Sequence, residues 1–294
     1  MKNLVFTSAG YREYRDKNNN PIEGNSIDRW TEGLKDFDLV TYCYDDSEIG
    51  KDKSNLWLNR PKFTKYQNFW HYASFYPEHL RQYDYIWVTD DDMFMSTEDI
   101  NTMFGMMEEY DIDLGQPSFD LNGVHYIHNL VNDPDYILRY TDYIETSALL
   151  FHKDALKKII RTFSETITGW GWDALISAMI LEDGGRLAVF DKVKAYHAPS
   201  LSTLNKVLFR HGHSIEGTKL LEKYDRLDLR RKHPVIKRGI DLTGKEVPIR
   251  KYKSVAKERV VIHPILGKTV TWEPKIKPYP SYQWRQDNET NRRS

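Results

Sequence analysis

The sequence predicts an α/β protein built on a largely parallel sheet, and three observations lead there. Short apolar runs, "KNLVFTSAG", "FDLVTYCYDD" and "YDYIWVTDDD", alternate with stretches of helical spacing, the pattern of strands joined through helices. Two of these runs finish in acids, Asp45–Asp46 and Asp90–Asp92, at the strand ends where such sheets bind ligands. The chain has 294 residues, 40% hydrophobic and 29% charged, enough to bury a substantial core.

The elements follow in order. "KNLVFTSAG" reads as a strand ending in a small-residue loop, and "DKNNNPIEGNS" as a polar loop. "SIDRWTEGLKDF" has mixed helical character before the second strand. "PKFTKYQNFWHYASFYPEHL" spaces Phe63, Tyr66, Phe69, Trp70 and Ala73 as one helix face. After "YDYIWVTDDD", the stretch "STEDINTMFGMMEEYD" is a helix capped by Ser96 or Thr97, with Ile100, Met103, Phe104 and Met107 inward. "DLGQPSF" is a short strand, and "TDYIETSALLFHKDALKKIIRTF" is a strand and then a helix. "TGWGWDALISAMILEDGG" turns into an apolar helix. "RLAVFDKVKAYHAPS" reads as a strand, a turn and a His-bearing segment. Beyond residue 205 the pattern frays: "LLEKYDRLDLRRK" is a candidate helix, and "KEVPIRKY" and "KERVVIHPILGKTVTW" are candidate strands or arms.

No apolar stretch reaches the roughly 18–20 residues of a membrane span. "MKNLVFTSAG" turns polar too soon for a signal peptide. Cys43 is the only cysteine, so no intrachain disulfide framework exists, and a cytoplasmic enzyme is expected. Charge divides the chain. Residues 1–204 carry 20 Lys and Arg against 33 Asp and Glu, net −13; residues 205–277 carry 19 against 8, net +11. Two zones are therefore expected, a domain over 1–204 and a basic C-terminal extension over 205–294.

Asp90 and Asp92 flank Asp91 in a D-x-D spacing after a buried strand. Adjacent carboxylates repel, so a cation is expected against them. Mg²⁺ and Mn²⁺ prefer oxygen ligands and complete their shells with substrate phosphates. The alternative is a solvated turn, which the flanking "YIWV" and "MF" disfavour. In "GWGWDALISAM", Gly169 and Gly171 permit positive φ or close approach, Trp170 and Trp172 offer flat faces, and Asp173 opens a helix. The bland alternative is two core tryptophans and a helix-start acid. His197 in "KAYHAPS" follows a strand; a neutral imidazole there could complete a Mn²⁺ shell, or be structural.

The order D-x-D, Gly-Trp-Gly-x-Asp and late His resembles the metal-dependent glycosyltransferases of the GT-A fold. More narrowly, residues 62–200 look like the family called domain of unknown function 707 and its bacterial relatives, through "KFTKYQNF", "YDYIWVTDDDMF", "LGQPSFD", "YIETSALLFHKDAL", "GWGWDALIS" and "VFDKVKAYHAPS". The resemblance implies a GT-A-like, Rossmann-like mixed sheet flanked by helices. It implies a nucleotide-sugar donor held with Mn²⁺ or Mg²⁺ on Asp90, Asp92 and His197. Thr7, Ser8, Ala9, Asp45 and Asp91 would flank the donor, with Lys65 or Lys62 on phosphate and Trp170, Gly171 and Trp172 against sugar. Asp173 fits a general base, and hence inversion of configuration. Asp120 and Glu145 are rival carboxylates.

The basic stretches "RLDLRRKHPVIKR" and "IRKYKSVAKER", interleaved with Tyr224, Tyr252, Trp272, Tyr279, Tyr282 and Trp284, leave the acceptor open between a glycan and a modified DNA base, or a lipid-linked acceptor. They also fit a solvated surface. Nuclease or phosphoryl-transfer chemistry would want two metals and more acids nearby, and leaves the Gly-Trp-Gly-x-Asp segment without a role. A non-catalytic carbohydrate- or nucleic-acid-binding module on a GT-A scaffold is the rival class.

Overall fold

The structure is a computed structural model describing residues 1–16, 18, 20–125, 127–199, 213–230, 234–249, 259–262 and 269–272. The chain forms two units, Met1–Arg250 and Lys251–Ser294. In the second, two strands form an antiparallel pair, β14 (Arg259–Ile262) and β15 (Thr269–Trp272).

The first unit starts on β1 (Asn3–Ala9), a small ribbon of β2 (Tyr14–Arg15) and β3 (Pro21–Ile22), and α1 (Ser26–Trp30). Then come β4 (Phe37–Cys43), β5 (Leu56–Leu58), α2 (Lys65–Phe75), α3 (Pro77–Leu80) and β6 (Tyr85–Asp90). β7 (Met93–Phe94), α4 (Thr97–Glu109), β8 (Leu114–Phe119), β9 (Tyr136–Thr141), β10 (Ala148–His152) and α5 (Lys153–Ile159) follow. The rest is α6 (Trp172–Glu182), β11 (Leu187–His197), α7 (His213–Lys223), β12 (Ile236–Asp241) and β13 (Glu246–Pro248).

One sheet collects most strands in the order β13-β12-β9-β11-β8-β10-β6-β1-β4-β5, with β7 paired to β11 off this path. β5, β4, β1 and β6 run parallel, and β11 runs parallel to β8. β10 lies antiparallel between β6 and β8, and β9, β12 and β13 are antiparallel additions. The sheet is therefore mixed, not largely parallel. β10 follows the irregular stretch 142–147 without a crossover helix, so it enters the sheet from the opposite end.

All of β1 is buried, as expected of a central strand covered on both faces. α4 forms as its spacing predicts: the Ser96 hydroxyl accepts from the Asp99 amide at 3.0 Å, and Ile100, Met103, Phe104 and Met107 are buried. α2 is rotated from the expected face. It buries Lys65, Tyr66, Asn68, Phe69 and Tyr72, while Phe63 lies before the helix, exposed. The cause is polar: Lys65 and Asn68 have partners inside, in Asp90 and Ser8. β11 is one eleven-residue strand, not strand and turn; its register shifts between Phe190 and Lys194 absorb the irregularity. β9 and β12 carry no clear alternation in sequence and are gains of the structure. The basic extension contributes α7, which packs on α6, and β12 and β13, which continue the main sheet. The segments 231–233 and 250–258 of the basic runs, and Tyr279, Tyr282 and Trp284, lie outside the described residues.

A fully buried ion pair joins β9 to β11. Arg139 Nε and Nη2 donate to Asp191 at 2.6 and 2.8 Å, and its remaining donors reach the carbonyls of Val131 and Asn129 at 2.7 and 2.8 Å. Neither side chain is exposed. Removing one partner strands the other charge in the core. Arg139→Met is expected to lower unfolding free energy by roughly 3–5 kcal/mol, read by urea denaturation. A loss below about 1 kcal/mol would show the pair is dispensable.

Candidate active site

The site stands at the carboxyl ends of β1, β4 and β6. β6 delivers Asp90, and the turn after it carries Asp91 and Asp92. β7 then pairs with the end of β11, Met93 opposite His197, which brings a residue over a hundred positions away onto the aspartate turn. Ligand atoms of Asp90, Asp92 and His197 lie within 4.8 Å of one another. His197 Nε2 is 3.3 Å from Asp92 Oδ1.

The donor set suits a divalent cation: two carboxylates and an imidazole. Within the set, His197 Nδ1 is buried without a hydrogen bond, and Asp92 Oδ1 has only the long contact to His197 Nε2, a costly condition unless something else satisfies them. Oxygen and nitrogen donors together fit Mn²⁺ or Mg²⁺, with Mn²⁺ the more tolerant of imidazole.

Sequence reasoning gives a metal as the reason three aspartates adjoin. The structure shows that the chain also supplies cations of its own. Lys65, on the first turn of α2, is buried and places Nζ 2.8 Å from Asp90 Oδ1 and 2.7 Å from the Thr146 carbonyl. Arg12, in the loop after β1, reaches Asp91 at 3.5 Å and Asp92 at 3.3 Å, and its Nε donates to Tyr44 Oη at 2.6 Å. Asp91 is not one of the trio; its Oδ2 accepts from the Gly10 amide at 3.2 Å and from Tyr44 Oη at 3.0 Å. Its carbonyl accepts from Tyr14 Oη at 2.8 Å and from the Ser26 hydroxyl at 2.5 Å. Asp91 is thus the fastener of the turn.

Burial and charge then divide the acids. Burial pushes Asp91 up to about 7, against the pull of Arg12. Burial also opposes ionisation of Asp92, but His197 and then Arg12 and Lys65 outweigh it and hold Asp92 below the usual carboxylate range. His197 is raised to about 9, because Asp92, Glu145 and Asp90 overcome the burial that disfavours its charge.

Asp173 opens α6 after Gly171, whose φ is +74°. Its Oδ1 accepts from the Ala174 amide at 2.8 Å, and Tyr143 Oη donates a short hydrogen bond to its Oδ2. Burial lifts it to about 6 although the Tyr143 bond favours the carboxylate. Glu145 is buried, with Oε2 unpartnered, and burial raises it to about 7. His197, Asp173 and Asp90 all act on it, so it neighbours both the trio and Asp173.

The other predicted residues sort plainly. Thr7 and Ala9 are fully buried, and Thr7 Oγ1 donates to the Thr89 carbonyl at 3.0 Å; Gly10 is buried too, and exposed surface at this strand end passes to Tyr11 and, in part, Arg12. Ser8 accepts from Asn68 Nδ2 at 3.0 Å. Asp45 fastens the two strand-exit loops, accepting from the Tyr11 amide at 2.7 Å. Lys62 pairs with the exposed Asp46, away from the trio. Trp172 has no exposed surface: it packs on Tyr66 and Phe163 and donates to Thr162 Oγ1 at 2.7 Å. Trp170 keeps 44% of its surface exposed, so the flat face open in this segment is Trp170's. Asp120 is engaged by Lys194 at 3.2 Å. Tyr44, at the second strand's exit that the resemblance sets against base and ribose, bonds Arg12 and Asp91; Arg12, Tyr14 and Tyr143 carry no sequence signal, since lone residues in irregular stretches have no periodicity. Next to Arg12 and Tyr14 lies a cavity of about 300 Å³ that also touches Tyr11, Ile22 and Asn25.

The chain is similar in structure to GalNAc-T7, solved with UDP, GalNAc and Mn²⁺: TM-score 0.51, 9% identity, over 76% of this chain and 48% of that one. It is also similar to S. aureus TarS 1–349 in complex with UDP-GlcNAc (TM-score 0.41, 13% identity, 69% and 59% covered) and to A197 from STIV (0.40, 12%, 88% and 99%). The GalNAc-T7 match shows a shared fold and nothing finer; the other two add no weight. The mixed sheet flanked by helices is GT-A-like in fold. No family model and no curated protein matches the chain, so the likeness to domain of unknown function 707 rests on its motifs alone. Among the described residues no helix is long and apolar enough to cross a membrane.

Asp92→Asn should leave the fold intact, since the amide keeps the shape, but weaken Mn²⁺ binding by more than about tenfold, read from the free Mn²⁺ electron paramagnetic resonance signal. Unchanged binding would remove Asp92 from the ligand set.

Proposed function

We propose that this chain is a nucleotide-sugar-dependent glycosyltransferase that uses Mn²⁺ or Mg²⁺ and inverts the anomeric centre. The observation that carries the proposal is the convergence of Asp90, Asp92 and His197 at the end of β6; Asp173, a partly buried carboxylate, shares the neighbours Glu145 and Tyr66 with Asp90. A metal bound by the trio would neutralise charge on the departing diphosphate. The cavity beside Gly10–Tyr14 is assigned to the nucleoside, and Arg12, which lines it and also reaches Asp91 and Asp92, to the diphosphate. Lys65, paired with Asp90, offers a second cation there.

In the transfer step the acceptor hydroxyl attacks the anomeric carbon from the face opposite the diphosphate. The carbon–oxygen bond to the nucleoside diphosphate breaks, and the acceptor proton passes to an Asp173 oxygen. Tyr143 holds the other oxygen and keeps the carboxylate aimed. Glu145 is buried with Oε2 unpartnered and suits a donor-sugar hydroxyl. Of the acceptor classes, a glycan is favoured over DNA: Trp170 and Ile167, in the segment leading to Asp173, expose apolar surface, which suits a sugar ring better than a phosphate chain. A cytoplasmic location belongs to the same proposal.

Apparent melting temperature should rise with one nucleoside diphosphate only when Mn²⁺ or Mg²⁺ is present, and EDTA should abolish the rise. No shift with any nucleotide would favour a binding module on a GT-A scaffold. Asp173→Asn should cut transfer by about 10²-fold or more while sparing that shift; equal loss of both would make Asp173 structural. The base works as a carboxylate, so transfer should rise with pH through about 6 and level off above. Tyr143→Phe deletes a bond to the charged form, so the rise should move to higher pH; an unmoved profile contradicts the base assignment.

A further inference from the structure

We propose that α7, supplied by the basic third of the chain, is the clamp that sets the acceptor-side turn, and that Glu216 is the positioning residue through which it acts. This rests on the assignment of Asp173 as base. The turn 166–171 has no strand or helix of its own. It contains Gly169 and Gly171, both at positive φ, +81° and +74°, so its backbone has more freedom than most and needs an external hold.

Glu216 provides one. Its Oε1 accepts from Thr166 Oγ1 at 2.8 Å, from the Ile167 amide at 2.7 Å and from the Thr168 amide at 3.1 Å. The same Thr166 hydroxyl accepts from the Gly169 amide at 2.9 Å, and Thr168 Oγ1 accepts from the Trp170 amide at 3.3 Å. One carboxylate therefore governs, directly or through a threonine, the amides of four residues in the turn: Ile167, Thr168, Gly169 and Trp170. Bonds to an ionised acceptor are among the stronger ones.

The next residue of α7 closes the seat by contact. A Cβ on Gly217 would stand 2.7 Å from the Trp170 carbonyl oxygen, and one on Gly171 would stand 3.0 Å from Gly217 Cα. Backbone lies on backbone, and no side chain can intervene. Asp173 follows directly, its amide 3.4 Å from the Gly169 carbonyl. The turn is thus held from one side by α7, while Tyr143 holds the Asp173 carboxylate from the other. A helix placed only to cover α6 would need neither the shared acceptor nor the glycine contact.

The test uses the full chain. In Glu216→Ala, amide hydrogen exchange across 167–171 should speed up by about tenfold or more, and Glu216→Gln, which keeps an acceptor oxygen in place, should restore most of the protection. Gly217→Ala should loosen the same amides by pushing from the other side. The metal-dependent thermal shift with UDP should persist in all three variants, which separates the clamp from donor binding. UDP release from UDP-GlcNAc and UDP-GalNAc, used as probes, should fall in Glu216→Ala and Gly217→Ala through kcat with KM for the donor unchanged. Unchanged exchange at 167–171 in both Glu216→Ala and Gly217→Ala overturns the clamp. Asp173→Asn, run alongside, reports on the base: if it releases UDP at the wild-type rate the base assignment fails, whatever the exchange data say of α7.

Discussion

Three neighbouring carboxylates at the end of a buried strand are the constraint on which the rest of the site depends. Asp91 and Asp92 are 3% and 4% exposed, so solvent cannot screen their repulsion, and their charge must be met by fixed partners. Those partners come from three separate parts of the fold: Arg12 from the loop after β1, Lys65 from α2 and His197 from the end of β11. The requirement explains choices that look odd in isolation. α2 turns a lysine and an asparagine inward. β11 runs on past its register shifts to reach β7. Tyr14, Tyr44 and Ser26 all donate to the one turn.

The mixed sheet serves this arrangement. The parallel half, β5-β4-β1-β6, opens all its carboxyl ends to one edge, and the nucleotide side of the site is assigned to that edge. The antiparallel strand β10 lets the preceding residues, Tyr143, Glu145 and Thr146, arrive at the same edge from the other direction. Lys65 joins the two groups, with Nζ 2.8 Å from Asp90 and 2.7 Å from the Thr146 carbonyl.

Much of this was legible in the sequence where one local rule sufficed. The β6 strand with its acids, the capped α4 and the apolar α6 were read from periodicity and punctuation. Asp90 and Asp92 are legible in their own D-x-D spacing, but their union with His197 rests on resemblance, since no spacing rule joins residues over a hundred positions apart. The inward face of α2 was misplaced because Lys65 and Asn68 look like surface residues until their partners are known. β9 was missed because its buried arginine, Arg139, reads as a charged surface position; its partner Asp191 sits fifty-two residues away. Arg12 and Glu216 had no signal of any kind. A single charged residue in a loop, or on the first turn of an ordinary amphipathic helix, is indistinguishable from solvated surface until the fold brings its counterpart to it.

The two ends of the main sheet have a bearing on how such a protein survives at high concentration. Both edge strands, β5 and β13, are only three residues long. β13 ends in Pro248, which has no amide to offer, and β5 is followed within three residues by Pro61. An open sheet this wide could recruit extended chains at either flank. Among the described residues each flank offers a strand of only three residues, so the breadth that assembles the site leaves short edges for a neighbour to pair with.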